Sequence, residues 1–142
     1  RLPMHRAALS DNETALWEQV RPMMEEGGLR PPRVREIAEE LSQPPQVIER
    51  FLFRAARLGI VHAVAKNRFY PPATMRDLGR LAVGLAEKSQ DDMFSTANFR
   101  DATGVGRNVT IQVLEYFDRI GFTQRIGEGR KIRKPIDEVF GK

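Results

Sequence analysis

The sequence predicts a mainly α fold with small β-hairpins, an α+β chain assembled from two copies of one unit. Three observations predict it. First, the chain is self-similar at an offset of 62 residues, the kind of period that marks a repeated structural unit. Val47, Phe51, Leu52, Leu58, Gly59 and Ile60 match Val109, Val113, Leu114, Ile120, Gly121 and Phe122, and Arg57 matches Arg119. Second, apolar residues recur at helical spacing in each copy. Third, each copy closes on a short β-like segment broken by a turn, Lys66-Asn67-Arg68 in the first and Gly127-Glu128-Gly129 in the second, which is the mark of a hairpin.

In the first copy, Ser10-Asp11-Asn12-Glu13 reads as a capping box opening a helix. Leu16, Trp17, Val20, Met23 and Met24 form its apolar stripe, and Gly27-Gly28 ends it. Pro22 lies inside the run and weighs against an unbroken helix. Val34 to Leu41 reads as a second helix. Ser42-Gln43-Pro44-Pro45 makes a turn, with Pro45 suited to a first helical position. Gln46 to Leu58 is the third helix, and Ile60 to Tyr70 the hairpin, closed by Pro71-Pro72.

The second copy keeps this order. Met75, Leu78, Ala82 and Leu85 form one stripe of a helix from Thr74 to Lys88. Asp91-Asp92 breaks the chain, and Met93-Phe94-Ser95 reads as a short strand. A helix from Thr96 to Ala102, the turn Thr103-Gly104-Val105-Gly106 and a helix from Arg107 to Ile120 follow. Phe122 to Ile126 and Arg130 to Arg133 make the last hairpin. Helix, helix, turn, helix, hairpin is the winged-helix plan. The chain therefore reads as two tandem winged-helix domains, residues 1–72 and 73–142.

Composition narrows the function. With 41% hydrophobic residues the chain can bury a core and is no disordered tail. The absence of cysteine removes disulfides and thiolate metal sites and fits a reducing cytoplasm. The only histidines, His5 and His62, lie far apart, which disfavours zinc or histidine catalysis. No apolar run approaches the roughly 20 residues of a membrane span. There is no Ser-His-Asp or Cys-His arrangement and no phosphate-binding GxxxxGK[ST] loop, and Gly104-Val105-Gly106 is a lone GxG. The expectation is a monomeric binding module without cofactor or metal, not an enzyme. The chain begins at Arg1 rather than Met and reads as a piece of a longer protein.

The net charge of +4 is modest, but its distribution is not even. From Arg125 to Lys134 the basic residues Arg125, Arg130, Lys131, Arg133 and Lys134 face the single acid Glu128, the footprint a polyanion needs. A helix-turn-helix presents the start of its third helix to nucleic acid, where free backbone N–H groups attract phosphates and base acceptors. In the second copy that place reads Arg100-Asp101, then Gly104-Val105-Gly106-Arg107-Asn108. The glycines let a ligand approach the backbone, Arg107 suits bidentate or stacked contacts with bases, and Asn108 carries both a donor and an acceptor. On the wing, Arg125, Arg130 and Lys131 are placed to straddle a phosphate backbone. The same residues also read as turn-shaping glycines and a solvated hairpin edge. In the first copy prolines remove the matching amides and arginine is missing from the helix start, so that copy reads as a spacer, with Lys66 and Arg68 of its wing able to touch a backbone. A DNA-binding winged-helix regulator and a protein-interaction module are the alternatives.

Phe99-Arg100-Asp101, Gly106-Arg107-Asn108 and the run Leu114-Glu115-Tyr116-Phe117-Asp118-Arg119-Ile120-Gly121-Phe122-Thr123 resemble the C-terminal end of the bacterial selenocysteine-specific elongation factors, the SelB family. The resemblance covers roughly Phe94 to Lys131 and implies the last two of four C-terminal winged-helix domains, the third at 1–72 and the fourth at 73–142. It implies that the fourth binds the selenocysteine-insertion (SECIS) hairpin of selenoprotein mRNA to direct selenocysteine to UGA on the ribosome, through Arg100, Asp101 and Gly104 to Asn108, with Arg125, Arg130 and Lys131 near phosphates. It also implies a GTPase body upstream, holding GTP and Mg.

Overall fold

The computed structural model describes residues 8–141; His5 lies outside them. The chain divides into two compact units between Pro71 and Pro72, one residue earlier than the sequence boundary.

The first unit opens with α1 (Asp11–Glu26), capped by the reciprocal Ser10–Glu13 box. The helix runs through Pro22 without a break. An interior proline costs about 3 kcal/mol, but Val20 and Met24 on either side of it are fully buried. Burying two such side chains returns roughly as much. Gly27 ends the helix where the chain doubles back: a Cβ there would stand 2.8 Å from Pro31 Cα. α2 (Val34–Glu40) and α3 (Pro45–Arg57) follow, the latter with Pro45 at its first turn. β1 (His62–Ala65) and β2 (Arg68–Tyr70) pair antiparallel as a two-stranded wing, with an irregularity between Ala63 and Ala65. Val20, Met24, Ile37, Ile48, Leu52 and Phe69 make the core, and Trp17 packs on Phe51 at 6.5 Å between ring centroids.

The second unit starts with α4 (Pro72–Lys88). Pro72 begins this helix instead of closing the wing, which a proline can do because the first turn needs no N–H donor. β3 (Met93–Ser95), α5 (Thr96–Thr103), α6 (Arg107–Arg119), β4 (Thr123–Ile126) and β5 (Gly129–Ile132) complete the expected order. The sheet order is β3-β5-β4, so β5 is central. A short α7 (Ile136–Phe140) was not foreseen. It carries Phe140 onto Phe117 and Phe122, with centroids 5.7 and 5.2 Å apart. Gly79 in α4 leaves room for that ring, since a Cβ there would lie 3.3 Å from it. Phe94, Phe99, Phe117 and Phe122 form the rest of an aromatic core.

Candidate nucleic-acid interface

Two glycines shape the turn of the second unit. Gly104 closes α5 in the left-handed region at φ 69°, and Gly106 precedes α6 at φ 89°. A side chain at either place would be strained. Ser10 and Ser95 cap α1 and α5 with their hydroxyls, but no side chain caps α6. The first amides of α6 therefore remain available to an acceptor from outside, and the helix dipole favours a negative one.

A cavity of about 640 Å³ opens beside this helix start. Arg100 from α5, Arg107 from the first turn of α6 and Arg125 from the wing all line it. All three are exposed. Arg100 is lightly held by Asp101 at 3.4 Å, and Arg125 donates to the carbonyl of Gly127 at 3.3 Å. Neither contact is strong enough to keep the guanidinium from a ligand. Glu115 and Glu128 line the same cavity; they confine the positive potential to the arginines and offer acceptors of their own. Asn108 and Lys131 are exposed beside the cavity's lining residues in sequence.

Two of the expected contact residues are placed otherwise. Val105 is 3% exposed: its side chain anchors the turn in the core, and only its backbone can meet a ligand. Arg130 is 5% exposed and not a free phosphate contact. Its Nε reaches Asp118 Oδ1 and Oδ2 at 3.2 and 3.1 Å, Nη2 reaches Oδ2 at 3.0 Å, and Nη1 donates to Thr96 Oγ1 at 3.1 Å. Thr123 donates its hydroxyl to the same carboxylate. This forked, charge-assisted network ties β4 and β5 to the end of α6 and the start of α5. It fixes the wing that carries Arg125 against the helix that carries Arg107. Sequence reasoning missed Asp118 and Thr96 in this role. It also missed Thr110, whose fully buried hydroxyl on α6 lines the cavity and has no hydrogen-bond partner.

The first unit lacks this arrangement. α3 starts at Pro44-Pro45, so one of its first amides is missing. In its wing Lys66 is exposed, but Arg68 is buried and donates to the carbonyl of Pro31. Arg68 is therefore not a wing-edge contact either.

Two family models match the chain. One described as "Elongation factor SelB, winged helix" covers residues 86–132, and one described as "Selenocysteine-specific elongation factor, winged helix domain" covers residues 9–70. The chain is 36% identical over 135 residues to the selenocysteine-specific elongation factor of Escherichia coli, spanning 95% of this chain and 21% of that protein. Against the factor of Haemophilus influenzae it is 30% identical over 132 residues, again 21% of the relative's length. The chain thus spans about a fifth of these relatives. The solved mRNA-binding domain of elongation factor SelB from E. coli, in complex with SECIS RNA, superposes with a TM-score of 0.79 at 35% identity, covering 89% of this chain and 100% of that one.

Proposed function

This chain belongs to the SelB family of selenocysteine-specific elongation factors, and from that we propose that its second unit binds the selenocysteine-insertion hairpin of an mRNA. The observation that carries the reading is the uncapped, glycine-led start of α6, with Arg100, Arg107 and Arg125 opening on one cavity beside it. The related domain from E. coli, solved with SECIS RNA, supports it.

The geometry suits a loop more than a duplex. The major groove of A-form RNA is too deep and narrow for a helix to read, while loop bases splay outward and can be stacked on and hydrogen-bonded. A cavity of about 640 Å³ has room for an extruded nucleotide. Arg107 and the free amides of α6 take its base or phosphate, Arg100 and Asp101 flank them, and Asn108 offers a donor and an acceptor. Arg125 and Lys131 neutralise the backbone alongside. Arg130 acts from behind by holding the wing. The unit is a binding module. In the whole protein it would tether an upstream GTPase, with its GTP and Mg, to the ribosome in the cytoplasm at a recoded UGA codon, raising its effective concentration there.

Titrating the chain with a SECIS-type hairpin, a duplex RNA of equal length and a duplex DNA tests this. Preference for the hairpin at physiological salt is expected. Equal affinity for all three would reject it, and tighter binding to DNA would turn the reading toward a DNA-binding regulator.

A further inference from the structure

The repeat supplies an internal control. Arg68 and Arg130 fall at matching places on the second wing strand of each unit, and each is 5% exposed. For Arg130 the counter-ion is Asp118, in the last turn of α6. The residue at the matching place in the last turn of α3 is Ala56, which offers no carboxylate. Among the described residues no acid lies within ion-pair distance of Arg68. One Nη donates to the Pro31 carbonyl, and Nε is buried without a hydrogen-bond partner. A buried guanidinium in this condition is strongly disfavoured until an anion joins it.

Space for an anion lies beside it. Arg68 lines a cavity of about 730 Å³ with Arg30 and Arg33. Burial holds Arg68 below the usual arginine range; Arg30 and Arg33 push the same way, and Tyr70 and Glu36 oppose them. Arg33 shares its Nε with Glu36 at 3.4 Å, while Arg30 makes no ion pair among the described residues. Glu26, Glu36 and Glu40 also line the cavity. They match the arginines in number, so long-range attraction is weak and recognition rests on short-range donors.

We infer that this cavity in the first unit receives a phosphate group, which serves Arg68 as the counter-charge that Asp118 is to Arg130. A tetrahedral phosphate presents acceptor oxygens in several directions and can meet three guanidiniums together, where a carboxylate engages one or two. The phosphate is free or carried on an RNA backbone; the contacts are the same. The inference stands apart from hairpin binding by the second unit.

Trp17 is the only tryptophan and packs within the first unit, so its fluorescence follows the unfolding of that unit. The chain is melted in potassium phosphate and in potassium chloride at equal pH and ionic strength, and in chloride with a short blunt RNA duplex. At ten times its Kd, a phosphate ligand raises the midpoint by roughly 5 °C or more for a unit of this size. A rise with orthophosphate assigns the free ion; a rise with the duplex alone assigns the backbone. Ala56→Asp supplies the missing carboxylate and is expected to abolish the shift. Arg30→Ala, at an exposed position, keeps the fold and is expected to shrink it at least twofold. No rise over chloride with either phosphate source overturns the inference. So does a shift that survives unchanged in Arg30→Ala or in a folded Ala56→Asp.

Discussion

The two units carry the same buried arginine on the same wing strand and support it in opposite ways. Arg130 is gripped by Asp118 and Thr96. Arg68 leans on one backbone carbonyl, with Ala56 where its acid would be. Their helix starts differ in parallel: α6 begins at Gly106 and Arg107, α3 at Pro44 and Pro45. One fold thus gives a unit whose charge is organised around an open helix start, and a unit whose helix starts at prolines and whose buried guanidinium has no acid within ion-pair distance among the described residues. The second unit also has a third strand, α7 and a more aromatic core, but at the helix start the two differ by a few polar side chains and two glycines.

The largest expected effect tests this pairing directly. Asp118→Ala leaves Arg130 buried and uncompensated and is expected to cost about 3 kcal/mol of the second unit's stability, because removing one partner of a buried pair strands the other. Urea unfolding of the chain would measure it, and a loss below about 0.5 kcal/mol, the scale of ordinary surface changes, would show that the network is ornamental. Arg68→Met in the first unit should behave oppositely. It replaces a buried, poorly satisfied charge with an apolar side chain, so stability should stay within about 1 kcal/mol or rise. Equal destabilisation by both substitutions would erase the contrast.

Next in size comes the exposed arginine at the start of α6. Arg107→Ala is expected to weaken hairpin binding by about 1–3 kcal/mol and relax discrimination among loop variants, as loss of a base-reading arginine does. Arg125→Ala should weaken all RNAs more evenly and lower the salt slope by about 1. A loss from Arg125→Ala confined to one loop base would exchange the two roles.

Much of this organisation was legible in the sequence. The repeat, the Pro45 and Arg107 helix starts, the glycine turn and both wings follow from spacing and from residues with one strong backbone preference. The role of Arg130 was not legible. An alternating hairpin reads as having exposed edges, and only the pairing of Phe94 in β3 with Arg130 makes β5 a central, covered strand. That pairing joins residues far apart in sequence, which local patterning cannot see. The match of Arg68 to Arg130 was the available hint, since a basic residue kept at one place in both copies points to a structural duty. α7 escaped because five residues carry too little periodicity; docking of Phe140 on the aromatic core holds it in place. Pro22 disfavours a helix by propensity alone, and the burial of Val20 and Met24 beside it outweighs that cost.

The smallest expected difference between the units lies in their helix caps. The box of α1 closes with a carboxylate, Glu13, and at the start of α2 the carboxylate of Glu36 likewise accepts from the Arg33 amide, whereas the box of α5 closes with the amide of Asn98. The Ser10 amide, and then Arg54, hold Glu13 below the usual carboxylate range; the Arg33 amide does the same for Glu36. A carboxyl depressed on folding stabilises above its unfolded pKa, and that contribution is lost as pH falls through its folded value. Asn98 has no proton to gain, and among the described residues of the second unit only Asp91, held down by Ser89 and the Met93 amide, shifts in the same sense. Between about pH 5 and pH 3, the melting midpoint followed by Trp17 should therefore fall more steeply in the wild-type chain than in Glu13→Gln. The glutamine still accepts from the Ser10 amide but cannot be neutralised. Because both glutamates lie at the surface, solvent screens much of the effect, and the gap between the two curves should be a degree or two. Parallel curves would mean that the cap acts by geometry alone.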